Sequence, residues 1–204
     1  AVRPGIVLFA DTAAPTSRLF RTDGTPEGTF AIASPEGTGY ATGVADGTEA
    51  IAPYADGFAA AMDDWAGGEP QVWLTVDGRD PATPFTVPAA SLWLTPVGER
   101  LFLACHGTGE EPNLWVSDGS HSGTHLVADL PGAPLPGWVA VDGMLYFHVA
   151  GPSGSALWSS DGTTAGTAPL SSVAPVPADP QGLTVSNSVL YFAGSTSDAG
   201  TELW

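Results

Sequence analysis

The strongest constraint on this chain is that it repeats itself. Leu114-Trp115-Val116-Ser117-Asp118-Gly119-Ser120-His121-Ser122-Gly123-Thr124 recurs 43 residues later as Leu157-Trp158-Ser159-Ser160-Asp161-Gly162-Thr163-Thr164-Ala165-Gly166-Thr167. An earlier copy reads Leu19-Phe20-Arg21-Thr22-Asp23-Gly24-Thr25-Pro26-Glu27-Gly28-Thr29, and a worn one keeps Val72-Trp73 with Asp77-Gly78. Glu202-Leu203-Trp204 begins a further copy. A fixed period of roughly 20 to 50 residues dictates a stacked or circular architecture, because each unit must bury its apolar faces against its neighbours. The period here is about 44 residues and divides the 204-residue chain into units of roughly 1–45, 46–88, 89–131, 132–177 and 178–204.

A second element precedes each of these by about a dozen residues: Ile6-Val7-Leu8-Phe9, Leu101-Phe102-Leu103, Leu145-Tyr146-Phe147 and Leu190-Tyr191-Phe192. In the second unit the matching stretch is Phe58-Ala59-Ala60-Ala61-Met62, whose alanines are poor strand formers. Before each run stands a turn and another short apolar segment, as in Val139-Ala140-Val141-Asp142-Gly143, which is the pattern of a hairpin. One unit therefore reads as four antiparallel strands, the last exemplified by Thr124-His125-Leu126-Val127-Ala128. Successive apolar residues in Leu145-Tyr146-Phe147 require burial on both faces of that strand, since side chains alternate across it. Blades stacked around an axis satisfy this, so the expected fold is an all-β propeller-like array of about five four-stranded blades, the last incomplete. The array either closes with its amino-terminal segment beside the last blade or continues into further residues or chains.

The loops have a composition with a reason. Asp23, Asp118 and Asp161 are expected to accept backbone N–H groups across a tight turn, and Gly24, Gly119 and Gly162 to take positive φ without steric cost. These are structural turn residues. A calcium loop is the alternative reading, but each copy supplies one dependable carboxylate whereas calcium takes six to eight oxygens. No cofactor is otherwise indicated.

The stretch Leu157 to Thr167, with Glu202-Leu203-Trp204, resembles the ELWxxDGT repeat family of bacterial, mostly exported proteins, and the likeness covers nearly the whole chain. The loop is also similar to the Asp-box of sialidase-type propellers, a structural element between the third and fourth strands of a blade. The resemblance implies a secreted or cell-surface protein and brings no catalytic residue with it. This sequence departs from the pattern at Arg18, where the family has Glu, at Val72, and by an extra residue before Asp77.

Charge narrows the partners. The chain has 22 acidic residues, five arginines (Arg3, Arg18, Arg21, Arg79, Arg100) and no lysine, a formal net charge of −17. Such a surface repels phosphate backbones and anionic lipid, which gives nucleic acid and membrane surfaces little support as partners, and the acidity is otherwise read as keeping the protein soluble; no stretch is apolar enough to span a membrane. A glycan or a protein remains. The tryptophans that recur in the repeat, Trp73, Trp115, Trp158 and Trp204, are expected to pack between blades. The candidate ligand-binding residues are those outside the repeat frame: Trp65 in a loop between second and third strands, and Trp93 and Trp138 near the innermost strands.

Chemistry is poorly represented. His106, His121, His125 and His148 fall in no zinc-ligand spacing, and Cys105 sits in an apolar run as a core thiol. Asp63-Asp64 and Glu110-Glu111 are expected at loop tips, and adjacent carboxylates are not the facing pair that glycosidases use. The leading reading is a non-catalytic extracellular or surface module binding through the loops of one propeller face. The alternatives are a structural subunit of a larger envelope assembly and a carbohydrate-active propeller enzyme, to whose arginine cluster only Arg18, Arg21 and Arg100 would contribute.

Overall fold

A computed structural model describes residues 2–3, 5–11, 18–32, 40–41, 51–64, 71–77, 79, 85–87, 92–105, 112–151, 154–172 and 176–204. The first sheet runs β1 (Val2–Arg3), β2 (Ile6–Asp11), β3 (Arg18–Thr22) and β4 (Phe30–Ala31) in chain order. In the second, β5 (Tyr40–Ala41) and β6 (Ile51–Tyr54) share one edge of β7 (Gly57–Asp64), followed by β8 (Gln71–Thr75) and β9 (Phe85–Thr86). The third holds β10 (Leu92–Val97), β11 (Arg100–Cys105), β12 (Asn113–Ser117) and β13 (His125–Asp129), and the fourth β14 (Pro134–Val141), β15 (Met144–Gly151), β16 (Gly154–Ser160) and β17 (Ala168–Pro169). The fifth has three strands, β18 (Ala178–Ser186), β19 (Val189–Thr196) and β20 (Gly200–Leu203). The strand ladders within the sheets are antiparallel.

Register explains the repeat. The aromatic residue of each third strand stands opposite one residue of the second: Phe20 opposite Phe9, Trp73 opposite Ala60, Trp115 opposite Leu103 and Trp158 opposite Phe147. Trp204 and Phe192 exchange both backbone hydrogen bonds in the same way, at 3.1 and 2.8 Å. Because side chains alternate, each such pair looks toward the preceding sheet, and the residues flanking it look toward the following one. Thus Leu101, Leu103 and Trp115 pack with Ala59, Ala61 and Val72 of the second sheet. Phe102, Leu114 and Val116, on the other face, pack with Leu145, Phe147 and Trp158 of the fourth.

Among the described residues four such seams make up the core. Leu101, Phe102 and Leu103 are all fully buried although they are neighbours in sequence, which only a sheet covered on both sides allows. Each of these side chains contributes about 2 kcal/mol of transfer free energy on burial.

Two readings of the second unit are resolved by packing. Ala59, Ala60 and Ala61 do form the middle of β7 and are buried, their small side chains sitting under Trp73 and Leu103 on the two faces. Asp63 and Asp64 are not at a loop tip, as their sequence context suggested. They end β7, held in the strand by pairing with Ala41 and Tyr40 of β5. Glu110 and Glu111 lie outside the described residues.

Candidate functional site

In an antiparallel sheet of this order, the turn joining the first two strands and the loop joining the last two fall at the same end. That end carries the Asp-Gly loops, and three of them are built alike. Asp118 Oδ1 accepts the Ser120 N–H at 2.9 Å and the Ser120 hydroxyl at 2.7 Å. Asp23 takes the same pair from Thr25 at 3.1 and 2.7 Å, and Asp161 from Thr163 at 2.8 and 2.7 Å. The Ser/Thr hydroxyl in turn accepts the N–H of the second glycine, Gly123, Gly28 or Gly166, at 3.0 Å. Gly24, Gly119 and Gly162 have φ of 88°, 91° and 86°, a region costly for other residues.

These side-chain hydroxyls, followed by the backbone N–H, hold all three carboxyls below the ordinary aspartate range. The carboxylate is engaged within its own loop. Among the described residues no three His, Cys, Asp or Glu side chains converge as metal ligands would.

The seams differ in what crosses them at this end. Arg21, buried in the first sheet, donates through Nε to the backbone carbonyl of Asp77 in the second at 2.7 Å, and through Nη1 to Gly28 O at 2.8 Å. Arg100, which opens β11 of the third sheet, donates to the backbone carbonyl of Asp161 in the fourth. Asp77, Asp118 and Asp161 are the equivalent aspartates of consecutive units. Two of the three thus receive a guanidinium from the preceding sheet.

Among the described residues no arginine performs this role at the seam between the second and third sheets. The position of Arg100, directly after a two-residue turn, is held in the second sheet by Gly57: Val97 pairs with Arg100 as Tyr54 pairs with Gly57. Instead of a guanidinium there is an open cavity of about 520 Å³ against the Asp118-Gly119 loop. Tyr54, Phe58 and Leu74 give it an apolar floor, and Asp56, Glu99 and Asp118 form an acidic rim. A Cβ on Gly119 would lie 2.9 Å from Leu74 Cδ1, so the loop rests directly on that floor. Tyr54 donates to Glu99 O at 2.9 Å, and its hydroxyl is pushed to higher pKa by burial and then by Asp118 and Glu99.

The tryptophans singled out in the sequence lie elsewhere. Trp93 on β10 and Trp138 on β14 meet edge to face across the seam of the third and fourth sheets, centroids 6.4 Å apart, and Trp138 also packs on Phe147 at 4.9 Å. The Trp138 N–H is buried without a partner, whereas Trp73 and Trp115 give theirs to Gln71 and Asn113. Trp65 and His106 lie outside the described residues. His121 and His125 are exposed, His148 is buried with Nε2 unpartnered, and Cys105 is a buried thiol pushed up to about 12 by burial. Arg21 and Arg100 serve separate seams and do not meet.

The cavity was not legible as a motif. Gly57 stands where the next unit has arginine because a Cβ there would lie 2.0 Å from Thr75 O, a close approach of backbones that the sequence does not show.

No family model and no curated protein matches this sequence. Solved structures do. A structure of a nidogen/laminin complex matches with a TM-score of 0.54 at 16% identity, over 93% of this chain and 70% of that one. A structure of prolyl endopeptidases matches with a TM-score of 0.57 at 13% identity over 98% of this chain, which spans only 33% of that protein. The β-propeller domain of the Trilobed protease from Pyrococcus furiosus aligns over 98% of this chain and 77% of that one at 13% identity, with a TM-score of 0.39. At these identities the likeness is one of fold, and with the five stacked antiparallel sheets it makes the chain a β-propeller-type array.

Proposed function

We propose that the protein is a non-catalytic binding module whose loop face receives an arginine side chain of a protein partner in the cavity between the second and third sheets. One observation carries this reading: both flanking seams place a guanidinium on the backbone carbonyl of the equivalent aspartate, and this seam leaves the same carbonyl beside an acidic-rimmed cavity. A visiting guanidinium would find carbonyl and carboxylate acceptors at the rim, and its methylene stem an apolar floor. The volume falls within the range of side-chain and small-ligand pockets, and the net charge of −17 steers cationic partners toward the surface. The resemblance to ELWxxDGT repeats supports a bacterial exported or cell-surface setting. Among the described residues no helix is long and apolar enough to cross a membrane.

The test is a titration of the capped tripeptide Ala-Arg-Ala, followed by amide chemical shifts, against the citrulline and lysine analogues. Shifts should concentrate at Tyr54, Gly57 and Gly119 for arginine and be lost for citrulline. The paired change Asp56→Asn with Glu99→Gln should weaken binding by about three- to tenfold at low salt. Shifts scattered over the acidic surface, or equal binding of citrulline, would overturn the reading.

A glycan partner is the second reading, favoured by the half-buried edge-to-face pair of Trp93 and Trp138. A saccharide bound there would change tryptophan emission without any dependence on Asp56 or Glu99.

A further inference from the structure

Close to the cavity stands a cation that the arginine reading does not use. Val76, one of the residues lining the cavity, is 69% exposed, and Arg79 follows three residues later. Three residues span at most about 11 Å. The Asp77 carboxylate fixes this stretch, accepting the Arg79 backbone N–H at 2.9 Å through Oδ1 and pairing with Arg79 Nε at 3.4 Å through Oδ2. The Arg79 guanidinium lies over the Phe30 ring of the first sheet, 5.5 Å from its centroid, and that of Arg21 lies over the same ring at 5.6 Å. Arg21 and Arg100 are committed to backbone carbonyls across seams. The Arg79 side chain is 54% exposed, and its ion pair through Nε is not made by the two terminal amino groups that grip a carboxylate end-on.

We propose that the partner segment whose arginine enters the cavity carries a carboxylate side chain two or three residues from it, and that Arg79 receives this group. The proposal rests on the arginine reading above and adds a second contact of opposite sign. Over a chain of net charge −17 a carboxylate is repelled at most of the surface, so an exposed guanidinium beside an acidic-rimmed cavity discriminates among cationic segments. A run of basic residues satisfies the cavity and is repelled by Arg79, whereas an arginine with an acid nearby is attracted at both places. Asp77 and Phe30 hold the Arg79 side chain before anything binds, so little of its freedom remains to be lost. Spacing follows from chain geometry. An extended segment advances about 3.3 Å per residue, so an acid two residues from the arginine, reaching with its own side chain, covers the distance from Val76 to Arg79.

The experiment titrates the full chain with the capped heptapeptide Ala-Glu-Ala-Arg-Ala-Glu-Ala and with its twin carrying glutamine at both glutamate positions, followed by amide chemical shifts at low salt. Acids on both sides serve either direction of the segment across Val76. The glutamate peptide should bind about two- to fivefold more tightly although it is the less cationic, and should shift Phe30 and Arg79 as well as Tyr54, Gly57 and Gly119. Arg79→Gln should abolish this gain and leave the response to Ala-Arg-Ala within about twofold, while Arg79→Lys, which keeps the charge without the planar fork, should retain part of the gain. Circular dichroism of both variants checks folding. Equal or weaker binding of the glutamate peptide to wild type would overturn the proposal, and so would a gain that survives Arg79→Gln. Either result with the Ala-Arg-Ala shifts in place leaves the arginine reading standing, whereas a cavity that responds to neither heptapeptide removes both.

Discussion

At the scale of single residues, the second glycine of each loop is fixed by a contact invisible in sequence. A Cβ on Gly123 would stand 2.0 Å from Asp118 Oδ1, and one on Gly28 or Gly166 would meet Asp23 or Asp161 as closely. Alanine there must push the carboxylate away from the Ser120 N–H and hydroxyl that it accepts. Gly123→Ala should therefore cost about 1–2 kcal/mol, read as a lower urea midpoint with an unchanged slope, whereas Ser122→Ala should stay within about 0.5 kcal/mol. The spacing from Asp to the second Gly was plain in the repeat, and so was the reason for the first glycine. The reason for the second was not, because it depends on where the chain returns after the turn.

At the scale of elements, the seams are the units of stability, and one of them is sensitive to pH. His148 on β15 lies buried among residues facing the fifth sheet, and burial lowers its pKa, with the nearby Asp179 carboxylate opposing. The folded state therefore resists a proton that the unfolded chain accepts near pH 6.5. Its contribution is complete above that value and is lost as pH falls below it toward the folded pKa. His148→Phe should flatten the dependence of the urea midpoint between about pH 7 and pH 5, with little cost at pH 8, since Nε2 has no partner to lose. The aspartates act lower. Asp23, Asp118, Asp161 and Asp179, held down chiefly by Ser and Thr hydroxyls, give stability present above about pH 4 and lost as pH falls further. The apolar runs made two-sided burial of the second strands legible. Which polar side chain would be caught between two sheets was not, because His148 differs from its neighbours only in what the fifth sheet places over it.

At the scale of the whole molecule, a stacked array holds together as the sum of its sheets and the seams between them. Cys105 reports on that sum from the middle of the chain, in the third sheet and 2% exposed. Its thiol, pushed up to about 12, offers almost no thiolate to a reagent at pH 8 while folded. Labelling of the native chain should be slower than that of the urea-unfolded chain by more than about 10³, and should follow the global stability measured separately. Rapid labelling in the absence of urea would mean that sheets separate one seam at a time.

The sequence by itself determined the repeat of about 44 residues, the order of strands in its clear copies and the loops that join the third strand to the fourth, but not that two strands share one edge of β7 in the second sheet. All of these rest on local pairing and turn chemistry that repeat with the chain. Only the tertiary structure decided what each seam contains: that Arg21 and Arg100 bridge two of them, that a cavity opens against the Asp118-Gly119 loop at another, and that Asp63 and Asp64 belong to a strand. The physical reason is that a repeat encodes the sheet, whereas the space between sheets is filled by side chains from two units at once.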